Sequence, residues 1–286
     1  MGSRALSPGR ATRPVTQRLP LADRAVGRGG RMPAPLPLWR LVERTLLRDP
    51  WAWSLLPVFA AVGFAFQGRT SEVALVSLYG VAQLVVPPVV MALAVPVLAS
   101  RGAWSLWAPA MARPGAGFIA SALGAALGLG WPVAAATLAA AAIAGIPPTQ
   151  ALSLLLSVVL TVLLWTLVGA ALSAFTLNPA RALAGGLALW ALGAIVYEPA
   201  LVAFAVAAAE FRFEPVLAFA LLVNPAELGR VALVRALDVP VFAGPTGVLV
   251  ARVLGSSPLV WAAAATLGWS ALLALAAAIV FGRRER

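Results

Sequence analysis

Few side chains in this sequence could do chemistry, and they fall in three places. Glu198, in the run Ile195-Val196-Tyr197-Glu198-Pro199, is a carboxylate set inside a long apolar stretch. An ionisable group there is costly in lipid and is a functional candidate by default. It would line a translocation path or pair with Arg230. Alternatively, Pro199 starts a helix and leaves the carboxylate in water at the outer interface. Asn224-Pro225-Ala226-Glu227-Leu228-Gly229-Arg230 reads as an N-cap, a proline at the first helical position and an acid in the first turn. That predicts a helix from Pro225 to about Leu237. Glu227 and Arg230 stand three apart on it and can pair, so Asn224, Pro225, Glu227 and Arg230 read as a structural motif. The third place is Ala99–Phe118, a polar break between two apolar runs with Arg101, Arg113, Trp104 and Trp107 and no acid. Arg and Trp are favoured as buried interface anchors. The same residues also suit an aromatic belt with arginines at lipid headgroups.

What is missing narrows the chemistry. There is no cysteine, no histidine and no lysine, and all 21 basic residues are arginine. Disulfides, zinc sites built on Cys or His, Ser-His triads and a P-loop lysine are therefore excluded. The chain reads as a non-enzyme with no cofactor or metal site of its own. Its thioethers are Met1, Met32, Met91 and Met111, of which only Met91 falls in an expected span, so a soft-metal path is not expected. A net charge of +11 does not by itself indicate nucleic acid, because in a membrane protein arginine placement reports topology first.

These residues are held by an unusually apolar chain: 62% hydrophobic and 11% charged, with mean hydropathy +0.94. A soluble domain cannot cover that much apolar surface. The expected fold is an all-α integral membrane protein. Residues 1–35 are rich in Arg, Pro and Gly and read as a disordered basic tail; Met32 is an alternative start of translation. Residues 36–49 read as an amphipathic interfacial helix, with Arg40, Arg44 and Arg48 on one face and Leu38, Trp39, Val42, Thr45 and Leu46 on another. Six spans are expected near 51–67, 73–98, 118–143, 151–177, 182–208 and 259–281. The first is short, the fifth is a candidate for a break, and Pro87, Pro88, Pro96 and Pro132 mark candidate kinks. Residues 209–258 are apolar in pieces too short to span, which suits a re-entrant outer segment. Gly124 with Gly128, and Gly169 with Ser173, are small-residue pairs that permit close helix approach. With both termini cytoplasmic, 16 arginines fall on the inner side and five on the outer, the bias of a positive-inside protein. That arrangement places Ala99–Phe118 in the cytoplasm.

The run Leu221-Leu222-Val223-Asn224-Pro225-Ala226-Glu227-Leu228-Gly229-Arg230 resembles the LLNP-x-[DE]-x-x-R segment of ABC-2-type transporter permeases. The closest likeness is to the group associated with nitrous oxide reductase maturation and copper processing. Glu198 stands where that group often has an acid in its fifth span. The helix at 36–49 resembles the family's elbow helix, and Arg101-Gly102 with Leu106 resembles the start of its coupling loop. Leu93, Ser100 and Ser105 stand where family members commonly carry acids. The resemblance covers roughly residues 36–286.

It implies the permease subunit of an ABC transporter in the cytoplasmic membrane, working as a homodimer or pseudo-symmetric dimer. A separate ATPase subunit would bind ATP and Mg and dock on Arg101, Trp104, Leu106, Trp107 and Arg113. Two other classes remain: a secondary transporter, which usually shows an internal repeat and several polar or broken spans, and a non-transporting membrane scaffold. No nucleic-acid partner is expected.

Overall fold

The computed structural model describes residues 38–100, 113–197, 199–200, 203, 214–236 and 257–284. Of the residues discussed above, Arg101, Gly102, Trp104, Ser105, Leu106, Trp107, Met111 and Glu198 lie outside that set, as do the tail 1–35 and the parts 209–213 and 237–256 of the expected re-entrant segment. The described residues form helices, with no strand among them. In chain order they are α1 (Leu38–Leu47), α2 (Pro50–Trp53), α3 (Leu55–Ala65), α4 (Ser71–Leu98), α5 (Pro114–Ile143), α6 (Pro148–Thr176), α7 (Pro179–Ala191, continued by a π-helical turn Leu192–Val196), α8 (Glu214–Val223), α9 (Pro225–Ala236) and α10 (Pro258–Arg284). Five of these are long and apolar enough to cross a membrane: α4, α5, α6, α7 with its π turn, and α10. This is the architecture of a multi-pass membrane protein. The stretch Pro50–Ala65, read from sequence as the first span, is a shorter apolar segment divided at Ser54.

Local chemistry sets the helix ends. Asp49 caps α2, its carboxylate accepting from the Trp51 N–H at 2.9 Å, with Pro50 at the first helical position. Asn178 caps α7 in the same way, accepting from Arg181 N–H at 3.1 Å ahead of Pro179. Just before it, Leu177 takes the left-handed conformation (φ 48°) and its N–H closes α6 onto Ser173. That is the usual helix stop, here without glycine. α4 runs unbroken through Pro87, Pro88 and Pro96, and α5 through Pro132.

α4, α5 and α6 form the centre, with α7 and α10 at its sides. α1 lies against α5. Val42 and Leu46 turn inward, while Arg40, Arg44 and Arg48 are exposed. Thr45, placed by periodicity with the apolar face, is exposed instead and returns its hydroxyl proton to the Leu41 carbonyl. The contact is backbone on backbone. A Cβ on Gly124 would collide with the carbonyl of Trp39, and one on Gly128 would sit 2.6 Å from that of Glu43. Gly124 and Gly128 are one helical turn apart, as are Trp39 and Glu43, so two successive turns of α5 receive two successive turns of α1. Gly63 of α3 meets Ala140 of α5 in the same manner, at 2.7 Å. Gly169 fits closely against Val95 of α4, where an added Cβ would come within 3.0 Å.

Candidate functional site

The corner between α8 and α9 is where polar groups enter the bundle. Asn224 performs the capping role its sequence context indicates, its carbonyl oxygen accepting from the Glu227 N–H at 3.4 Å. Its amide does a second job, donating to the Gly193 carbonyl at 3.1 Å. Gly193 lies in the π-helical turn of α7, a geometry that loosens the regular carbonyl ladder. Three more side chains fix the corner. Tyr79 of α4, almost wholly buried, donates to the Ala226 carbonyl at 3.0 Å. Trp269 of α10 donates to the Leu222 carbonyl at 2.9 Å. Tyr197 donates to Ala220. The Leu222 carbonyl falls in the last turn of α8, where no intrahelical N–H reaches it, while Tyr79 and Tyr197 add second donors to carbonyls that the backbone already uses. Gly229 makes room for Tyr79: a Cβ there would be 2.7 Å from the phenol oxygen.

Tyr79 and Gln83 lie eight and twelve residues into α4, or about 12 and 18 Å along it. The corner is thus seated well down the length of a spanning helix rather than at its end.

On that seat Glu227 and Arg230 form a side-on ion pair. Arg230 Nε stands 3.2 and 3.0 Å from the two carboxylate oxygens, and Nη2 is 2.6 Å from Oε1. Glu227 is buried. Bidentate pairing is the strongest form of this contact, and a buried carboxylate requires it.

The pair borders a cavity of about 180 Å3 between α4, α6, α7 and α9. Its polar lining is Gln83, Trp190, Asn224, Glu227 and Arg230, with Trp165 also in the wall. Gly80, Leu84 and Ala194 are exposed lining residues and form its mouth between α4 and α7. Gln83 donates to Thr161 at 2.8 Å and receives the Trp190 indole N–H on its own carbonyl at 3.1 Å. Trp165 is 8% exposed and its indole N–H has no partner. A smaller cavity of about 60 Å3 lies beyond Ala226, bordered by Tyr79, Ser153, Ser157, Thr161 and Thr266.

Arg113, the one residue of the expected docking set that is described, is exposed immediately before Pro114 starts α5. It lies on a different part of the chain from the α8–α9 corner. Asn224, Pro225, Glu227 and Arg230 come together as one unit, in which the capping residue and the ion pair also border a cavity. Sequence reasoning passed over Gln83, Trp165 and Trp190. Gln83 carried a usable signal, as an amide within a 28-residue apolar helix. The two tryptophans carried none that separates a cavity wall from ordinary packing. Met91, the one thioether expected in a span, is buried against Gly186. Among the described residues there is no cluster of three or more His, Cys, Asp or Glu that could hold a metal.

Neither a protein-family model nor a curated protein matches the chain.

Proposed function

We propose that the chain is the membrane-spanning subunit of an ABC transporter of the ABC-2 permease type, moving its substrate with ATP hydrolysed by a separate subunit. In this reading α2 and α3 with the residues around them make the first of six spans, and α1 is the elbow helix. Both termini lie in the cytoplasm, α8 and α9 form a re-entrant hairpin from the outer side, and two permease chains pair in the cell membrane. The observation that carries the reading is the Asn224-Pro225-x-Glu227-x-x-Arg230 corner, seated between the last two spanning helices and held by α4, α7 and α10. The order of elements before it supports the same reading: an arginine-bearing amphipathic helix, then apolar helices, and under the expected topology 16 of the 21 arginines fall on the inner side.

Arg101, Trp104, Leu106, Trp107 and Arg113 are the proposed docking surface for the ATPase. Glu198 stays a candidate for the path. The test is co-expression with an ABC ATPase encoded beside this gene. Co-purification and ATPase stimulation are expected, and both should fall in a Trp104→Ala, Trp107→Ala double variant. A complex of unchanged yield and activity in that variant would remove the docking surface.

A secondary transporter is the second reading, favoured by the same ion pair because ionisable groups near mid-membrane are typical coupling sites. It requires gradient-driven uptake by the chain alone in proteoliposomes, which the first reading forbids.

A further inference from the structure

We propose that the arginine face of α1 is a binding site for the phosphate of an anionic phospholipid drawn from the surrounding bilayer. Arg40, Arg44 and Arg48 follow one another at four-residue steps, and all three are exposed. Residues so spaced are neighbours on a helix, about 5–6 Å apart at Cβ, so two guanidinium groups can share one phosphate. None of the three is in an ion pair among the described residues. Glu43 and Asp49 stand beside the row, yet neither meets a guanidinium, and Asp49 is occupied at the α2 cap, where it accepts from the Trp51 N–H. Arg40 lies over the Trp39 ring, 5.1 Å from its centroid, which steadies the cation without neutralising it. Gly124 and Gly128, which receive α1, stand about 15 and 21 Å along α5 from its start at Pro114. The row is therefore carried beside the body of a helix of spanning length, not beyond its end. An unpaired arginine at such depth is costly, and thinning of the bilayer that brings head groups inward relieves the cost. A lipid phosphate supplies the missing counter-charge, and its chains lie against the exposed Leu41 and Trp51, which flank the row in sequence. The chain has little to offer in its place. The residues before α1 hold seven arginines and one acid, Asp23, and the whole chain carries 21 arginines against 10 acids, so neither the tail nor a second copy brings a surplus of negative charge. The assignment needs only the membrane-spanning fold, and its failure leaves the transporter reading standing.

The full-length chain is placed in phosphatidylcholine nanodiscs with a phosphatidylglycerol carrying a diazirine near the glycerol ester. Saturable photolabelling is expected on peptides containing Leu41 or Trp51. Unlabelled dioleoyl phosphatidylglycerol should displace it and inorganic phosphate should not. Arg44→Gln should raise the half-saturating fraction of the probe about five-fold, the usual worth of one arginine near an anionic membrane surface. The triple variant Arg40→Gln, Arg44→Gln, Arg48→Gln should abolish saturation, and Arg44→Gln carries the test if the triple variant does not fold. Lysine at all three positions keeps the charge and should keep saturable labelling. Arg283→Gln with Arg284→Gln, an exposed basic pair at the end of α10, should leave labelling unchanged. Labelling that does not saturate, that inorganic phosphate displaces, that falls equally in the α10 variant, or that is undiminished in Arg44→Gln overturns the assignment. So does loss of self-association in the triple variant with labelling intact, which would give the face to a second copy.

Discussion

Two helix contacts in this molecule are built on opposite terms. Where α1 meets α5, glycine brings backbone against backbone and no space for a side chain remains. Where α9 meets α4, α6 and α7, packing is incomplete: charged and amide groups border a cavity and one indole N–H lacks an acceptor. The first contact is specified by shape, the second by hydrogen bonds. Close-packed interiors respond to a single added methylene. Polar clusters respond to the loss of one partner, because the remaining group stays buried and unpaired. The α1 contact should therefore fail under added bulk, and the α9 corner under lost polarity.

The largest effect expected is from Arg230→Ala. Glu227 would remain buried without its guanidinium, and removing one partner of a buried pair costs about 3–5 kcal/mol. Reversible unfolding in mixed micelles reads this directly, and a loss under about 1 kcal/mol would mean that water or another group already satisfies Glu227. Next comes Gly128→Val, expected to cost about 1–3 kcal/mol by overpacking and to expose the 38–49 segment to protease. If Gly128→Val is as stable as the native chain, the close-contact account of α1 is wrong. Tyr79→Phe removes one hydrogen bond to the α9 corner and should cost about 1 kcal/mol. The smallest effect is at the cavity mouth. Ala194→Ile adds three carbons where Ala194 is already exposed, and the change should stay within about 0.5 kcal/mol. A large loss there would show that the mouth is closed by a surface the isolated chain lacks, such as a second copy.

The same contrast explains what could be read before any coordinates. The start of α9 at Pro225 and the Glu227–Arg230 pair were legible because caps and i,i+3 contacts are local. The long spans were legible because composition and length suffice. The Gly124–Gly128 pair was legible as a place of close approach, but a small-residue pair does not name its partner. That α1 fills it, through Trp39 and Glu43, is a tertiary fact. The span expected near 182–208 carries a π-helical turn at Leu192–Val196, whose Gly193 carbonyl is used by Asn224. The cavity was not legible at all. It depends on Gln83, Trp165, Trp190 and Arg230 meeting from four helices that are far apart in the chain.

The central claim is that the cavity beside α9 belongs to a route driven by an ATPase bound on the cytoplasmic side. The native chain has no cysteine, so Ala194→Cys gives a single thiol at the cavity mouth. The decisive measurement is its labelling rate with a small membrane-permeant maleimide, in proteoliposomes holding the ATPase complex, with and without ATP trapped by vanadate. The account predicts that the rate changes at least ten-fold between the two states. Equal rates in both states would contradict it.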